Sequence, residues 1–165
     1  MNKRSATVGF HIRTMGPGDA EAVDRVFDAM SPEARFFRYL RAMPRLTDGA
    51  RNALANVDGT RHFARVAEAD GEPVGIARVV KDAEGSAELA IEIADPHTGR
   101  GLGRALTRCV LDDAAARGIT EVELLLHPDN HRAVRLFRSF GARFVYDGGL
   151  LSGRMPTRRI EELAS

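Results

Sequence analysis

The stretch from Glu88 to Arg117, ELAIEIADPHTGRGLGRALTRCVLDDAAAR, limits the possible folds of this chain more than any other. Residues Glu88 to Ala94 alternate, with Leu89, Ile91 and Ile93 on one side and Glu88, Ala90, Glu92 and Ala94 on the other. That is the period of a pleated strand with one oily face and one face carrying carboxylates. After Asp95-Pro96 come Thr98-Gly99-Arg100-Gly101-Leu102-Gly103, and then Leu102, Ala105, Leu106, Cys109 and Val110 recur as one stripe of a helix. A helix that begins at glycines leaves its first backbone N–H groups unpartnered at the positive end of its dipole, and no Cβ holds a ligand away. Such a turn suits a phosphate or pyrophosphate, with Arg100 and Arg104 adding positive charge.

Two nucleotide-binding patterns fail here. The phosphate loop needs a Gly-Lys-Ser/Thr that does not follow. A dinucleotide fingerprint lies near the first strand with an acidic residue ending the next, whereas Gly99-x-Gly101-x-Gly103 lies past the middle and the next strand ends in Leu126-His127. The run instead resembles the coenzyme-binding motif of the GNAT superfamily of N-acetyltransferases, Gln/Arg-x-x-Gly-x-Gly/Ala, whose loop grips the pyrophosphate of acetyl-coenzyme A. Aligned on Gly101 and Gly103, the frame preferred here, the Gln/Arg position is Thr98; shifted by two, Arg100-x-x-Gly103-x-Ala105 matches literally.

A chain of 165 residues with 44% hydrophobic content is the size of one domain and can bury a sizeable core. Residues 1–9 read as a disordered lead-in, 10–158 as a single domain and 159–165 as a tail. Lys and Arg number 24 against 23 Asp and Glu, which offers no general attraction to nucleic acid. No apolar run of about 18 residues and no apolar signal core is present, so a cytoplasmic protein without a membrane partner is expected. A single cysteine excludes an internal disulfide and a cysteine-rich metal site.

The other elements follow from local patterns. A strand is expected over Phe10 to Thr14, and a helix over Ala20 to Met30 capped by Asp19. Ser31-Pro32-Glu33 opens a further helix through Leu40, and Asp48 to Asn56 another. Arg61 to Ala67 and Pro73 to Val80 read as a hairpin about Asp70-Gly71, with the Glu88 segment as a third antiparallel strand. Glu121 to His127, reached through the central helix, is expected to lie parallel to the Glu88 strand. A helix over Arg132 to Phe140 stops at Gly141, and Arg143 to Asp147 and Leu150 to Met155 form two strands around Gly148-Gly149.

Asn130…Phe137-x-x-x-Gly141-Ala142 is similar to the second GNAT motif, Asn-x-x-Ala…Leu-Tyr/Phe-x-x-x-Gly-Phe, with Ala133, Leu136 and Gly141 matching. Ser-Pro-Glu-x-Arg at Ser31 is similar to the amino-terminal helices of a bacterial subgroup that includes protein-lysine acetyltransferases. The resemblance runs from Ile12 to Pro156 in one order of elements. It implies an α/β (α+β) fold with a mixed, mostly antiparallel sheet of about six to seven strands, splayed between its two parallel central strands and flanked by helices.

What the resemblance implies about chemistry is specific. Acetyl-coenzyme A would contact Ile91, Ile93, Ala94, Thr98, Gly99, Arg100, Gly101, Leu102, Gly103, Arg104, Asn130 and Phe137, with its pantetheine arm pairing to strand backbone in the splay. Its partner is an amine acceptor, and the protein a monomer or homodimer. An alkylamine of pKa about 10.4 must be neutral to attack a thioester, which calls for a base or a desolvating pocket, and a carboxylate fits this role. Glu88 occupies the position of the catalytic glutamate in the protein-lysine members, in a segment that resembles their pattern Ala-Glu-Val-Ala-Phe before the loop, and Glu92 on the same face is the other candidate. Phe137 stands where many members place a tyrosine acid, and no metal is implied; His127 and His131 are separated by Pro128. A catalytically silent acyl-coenzyme A-binding module is the competing reading.

Overall fold

The computed structural model describes residues 9–158. The reading of 1–9 as a lead-in and of 159–165 as a tail falls almost wholly outside them. In chain order the elements are β1 (His11–Thr14), α1 (Ala20–Asp28), α2 (Pro32–Tyr39), α3 (Asp48–Ala55), β2 (His62–Ala69), β3 (Glu72–Lys81) and β4 (Ala87–Ile93). A 3-10 turn at Asp95–His97 leads to α4 (Leu102–Ala116), β5 (Glu121–Leu126), α5 (His131–Arg138), β6 (Arg143–Asp147) and β7 (Leu150–Pro156).

One seven-stranded sheet has the order β1-β2-β3-β4-β5-β7-β6. All neighbours are antiparallel except β4 and β5, which are parallel and share a single bridge, Glu88 to Glu123. The mixed, splayed sheet is therefore the one the resemblance implied. β7 lies inside β6, so the chain crosses to the sheet edge and returns through Gly148 and Gly149, both at positive φ. The β2–β3 hairpin turns on Asp70 (φ 52°) and Gly71 (φ 79°), the left-handed pair a two-residue turn needs.

Alternation along the strands sorts the core into two layers. Ala64 and Val66 of β2 and Ile76 of β3 pack with Val23, Val26 and Met30 under α1, α2 and α3. Phe63, Ala67, Ala77, Val79 and Leu89 face Leu102, Leu106, Val110 and Ala114 of α4 on the opposite side, with Phe137 of α5 in the same cluster. Gly75 permits this contact: a Cβ there would stand 2.9 Å from Leu106 Cδ1.

Three expectations are corrected. The α4 stripe is rotated, because the helix settles on i, i+4 steps from Leu102 to Ala114 with Thr107 and Leu111 alongside. Ala105 consequently faces solvent and Cys109 lies half-exposed at the stripe's edge. Asp19 flanks α1 but caps nothing with its side chain, which is held by Arg13 (2.9 Å) and the Gly16 N–H (2.6 Å). Helix α1 ends at Asp28 rather than Met30, and α5 at Arg138. Ser31 does cap α2, accepting from the Ala34 N–H at 3.1 Å, and Leu40 at φ 57° ends it.

Candidate functional site

Parallel strands that share one bridge must part on either side of it. Beyond Glu88 the β5-facing edge of β4 has no strand partner among the described residues, while its other edge stays paired to β3 from Lys81 to Gly75. A cleft of about 550 Å³ opens along this gap. Its walls are Ile91 and Ile93 of β4, Phe37 and Arg38 of α2, and the start of α5 from Asn130 to Leu136, with Thr98 at one end. Asn130 holds that wall by capping α5, its Oδ1 accepting from the Ala133 N–H at 3.3 Å.

The glycine turn stands at the mouth. Gly99 (φ 73°) and Gly101 (φ 82°) take left-handed conformations with nothing crowding them, which a side chain would strain. Gly103 serves packing instead, since a Cβ there would come within 3.2 Å of Leu136 and 3.3 Å of Ile93. The first intrahelical bond of α4 runs from the Ala105 N–H to the Gly101 carbonyl. The N–H groups of Leu102, Gly103 and Arg104 find no acceptor among the described residues. These free donors at a positive helix end form a cradle for an anion. Thr98 turns its hydroxyl onto the Asp95 carbonyl at 2.9 Å, and Arg104 is steadied by Ser139 Oγ at 2.9 Å.

The two carboxylates of β4 meet opposite environments. Glu88 is exposed at the bridge beside Glu123, with no ion pair among the described residues. Glu92 is 3% exposed and lies between two guanidiniums. Arg78, itself 2% exposed, reaches it with Nε and Nη2 at 3.3 Å each, and Arg38 with Nε at 2.9 Å and Nη2 at 2.8 Å. Burial pushes the Glu92 carboxyl up, but the two guanidiniums outweigh it and hold it below its ordinary value. Arg78 also donates to the Leu54 carbonyl (2.7 Å) and to His62 Nε2 (2.9 Å). A guanidinium only donates, so His62 Nε2 must accept and Nδ1–H must donate to the Asn56 carbonyl at 3.0 Å. His62 is thus a neutral imidazole, its pKa lowered by burial and by Arg78.

Helix α2 is fastened to β4 at both ends. The Ser31 N–H donates to Asp95 Oδ1 at 3.0 Å, the Asp95 N–H to the Ala29 carbonyl at 2.9 Å, and Arg38 completes the strap at Glu92.

Of the residues singled out from sequence, Ile91, Ile93, Thr98 and Asn130 line the cleft, and Gly99, Arg100, Gly101, Gly103 and Arg104 form the adjoining turn. Ala94 and Leu102 are buried at 2% and 1%. Phe137, at 1%, lies in the core behind Leu136, whose side chain takes the cleft position. His127 packs against Phe36 and Phe37 with ring centroids 5.4 Å and 5.6 Å away, and its Nδ1 accepts from the Asp129 N–H. Among the described residues no group of three or more metal-ligating side chains converges. Sequence reasoning missed Arg38 and Arg78. The signal was present in Val74-Gly75-Ile76-Ala77-Arg78-Val79, where an arginine inside an apolar strand requires a buried counter-ion.

The acetyltransferase (GNAT) family model matches residues 23–142. The acetyltransferase PA5475 of Pseudomonas aeruginosa is 32% identical over 116 residues, which is 67% of this chain and 62% of that protein, so the match spans less than two thirds of the relative. Streptothricin acetyltransferase of Streptomyces lavendulae is 29% identical with 87% of each chain covered. The GNAT domain of S. lividans PAT shares the fold, with a TM-score of 0.81 at 23% identity over 88% of this chain and 89% of that one. Two further structures of this fold, with TM-scores of 0.71 and 0.72, contain acetyl-coenzyme A.

Proposed function

Since the chain belongs to the GNAT acetyltransferase family, we propose that it moves the acetyl group of acetyl-coenzyme A to a primary amine, on a protein lysine or a small molecule, by direct attack. One observation carries this reading: a single bridge joins β4 to β5, and the gap beyond it opens into a cleft that ends at a turn with three N–H donors free among the described residues. The residues fit the donor substrate. A diphosphate suits the N–H groups of Leu102, Gly103 and Arg104, and an amide-bearing arm suits the unpaired edge of β4 at Ile91 and Ile93.

In the transfer the amine nitrogen attacks the thioester carbonyl carbon, a C–N bond forms, and the C–S bond breaks with its electron pair leaving on sulfur. The amine must first be neutral, and Glu88 is proposed as the carboxylate that takes its proton. It is exposed, unpaired among the described residues, and lies at the bridge where the gap closes, outside the cleft lining. At about 3.3 Å per residue it lies roughly 13 Å along the strand from Glu92, so it works through water rather than by direct contact with an amine at the thioester. Glu92 is a poor base, because its oxygens are engaged by Arg38 and Arg78 and its proton affinity is lowered. Backbone N–H groups on the gap side of β4 are suited to polarise the carbonyl. Cys109 is half-exposed on α4, outside the cleft lining, and no acyl-enzyme is formed on it.

The test pairs two measurements on Glu88→Gln: thiol release across a panel of amines, and calorimetry with acetyl-coenzyme A. Loss of turnover by about a hundredfold with unchanged coenzyme affinity is expected. Full activity in the variant eliminates Glu88 as base. A buried, apolar Phe137 favours a second reading, a silent acyl-coenzyme A-binding module; it predicts calorimetric binding by the native protein without turnover of any amine.

A further inference from the structure

The reaction proposed above places negative charge on sulfur, and among the described residues no tyrosine lines the cleft to discharge it. Phe137 has no hydroxyl and lies in the core. Tyr39 is outside the cleft lining, and burial next to Glu92 pushes its phenol up to about 12. Tyr146 is 66% exposed on the edge strand β6. His127 is packed against Phe36 and the cleft-lining Phe37 and is not itself part of the lining.

The cleft does hold an uncompensated cation. Arg38, Arg78, Glu92 and the neutral His62 form one hydrogen-bonded cluster of two positive charges and one negative. Arg78 spends four of its five N–H donors on Glu92, Leu54 and His62. Arg38 uses Nε and Nη2 on Glu92, and its Nη1 has no partner among the described residues. The surplus charge therefore resides on the member that lines the cleft.

The other ionisable groups of the lining, Glu33, Asp95, Asp129, His131, Arg132 and Arg135, are all exposed and screened by water. Arg38, with its side chain 17% exposed, is the sheltered one. Arg38 shares the cleft lining with Ile91 and Ile93, the β4 residues against which the thioester end of the donor would lie. We propose that Arg38 stabilises the thiolate leaving group, standing in electrostatically for the missing tyrosine hydroxyl. The reading rests on the acetyl-transfer function proposed above. Arg38 donates no proton in it: sulfur leaves with the C–S electron pair, is held as an anion beside the guanidinium, and takes up a proton from water after departure. A fixed charge in a sheltered cleft acts on developing charge without reorganising solvent.

The experiment uses coenzyme A itself in a Cys109→Ser background, so that the ligand carries the only thiol. The ultraviolet absorbance of the thiolate is titrated against pH for coenzyme A bound to the background protein and to its Arg38→Gln and Arg38→Lys derivatives. The bound thiol is expected to titrate about one unit below that of free coenzyme A, to return to the free value in Arg38→Gln, and to keep part of the shift in Arg38→Lys. With acetyl-coenzyme A, Arg38→Gln should lose roughly tenfold to a hundredfold in kcat with its KM unchanged. A bound thiol that titrates as free coenzyme in the background protein overturns the proposal, whether or not Arg38→Gln folds. So does unchanged kcat in that variant. Failure of coenzyme A to bind at all overturns the acetyl-transfer reading too, whereas binding and turnover with an unshifted thiol overturn this one alone.

Discussion

Replacing Glu92 by glutamine keeps its shape and removes its charge, leaving two guanidiniums facing each other with no anion between them. Glu92 is 3% exposed and Arg78 2%, so Arg78 has no water to replace the lost carboxylate, and Arg38, its side chain 17% exposed, has little. Breaking a buried ion pair from one side costs about 3–5 kcal/mol, a figure that applies to Arg78, and the partly sheltered Arg38 loses its counter-ion as well. Against a total stability of roughly 5–15 kcal/mol, the upper half of that range is expected, with a melting temperature lowered by roughly 8–20 °C. Arg38→Gln should be milder, about 1–2 kcal/mol, because Glu92 keeps Arg78 as its counter-ion and the Arg38 side chain is 17% exposed. The decisive comparison is the double variant. In the Glu92→Gln background, removing Arg38 also removes a repulsion, so the second substitution should cost nothing or restore stability. Urea melts followed by far-ultraviolet circular dichroism give all three values. Equal costs for the two single variants, or additive costs in the double variant, would refute the picture of one carboxylate neutralising two cations.

Acid should destabilise the protein in two stages. The folded His62 resists protonation while the unfolded one accepts it near 6.5, so stability falls as pH drops below that value; Glu92, with its folded pKa lowered, gives up its contribution as pH falls further, below about 4.3. His62→Gln, which still offers Arg78 an acceptor, should flatten the first stage only, and an unchanged slope between pH 5 and 6.5 would rule out His62 as its source. Gly75→Ala drives a methyl to 2.9 Å from Leu106 and 3.3 Å from Leu102 in a filled core, so a loss of about 1–3 kcal/mol is expected in the same melts, and a neutral outcome would mean that α4 can shift.

The parts of this fold that were readable in the sequence are those written in short-range pattern. Alternation along Glu88 to Ala94, the Asp70-Gly71 turn and the glycines before Leu102 each act over a few residues, and each element appears where its pattern lies. The α4 stripe was read one position off because Ala105 and Cys109 are apolar enough to look internal, while Thr107, fully buried, does not. Glu88 and Glu92 share a strand face, and alternation alone assigns them one environment. Arg38 is separated from Glu92 by 54 residues, so only the docking of α2 could reveal that one carboxylate is exposed and the other enclosed. Phe137 carries the motif's spacing, yet the helix turns it into the core and presents Leu136 instead.

The lone contact between Glu88 and Glu123 makes the sheet behave as two leaves on a pin. β1 to β4 form one ladder and β5, β7 and β6 the other, and on the α4 side both leaves rest on one cushion of side chains that includes Val79, Leu106, Val122 and Leu124. A molecule lying in the seam would serve as the rung the backbone lacks, so its affinity would be measured again as resistance to unfolding. Amide protons of Ile91 and Ile93 should then exchange with solvent more slowly in its presence, and those on the Gly75 side of the ladder should not register the difference.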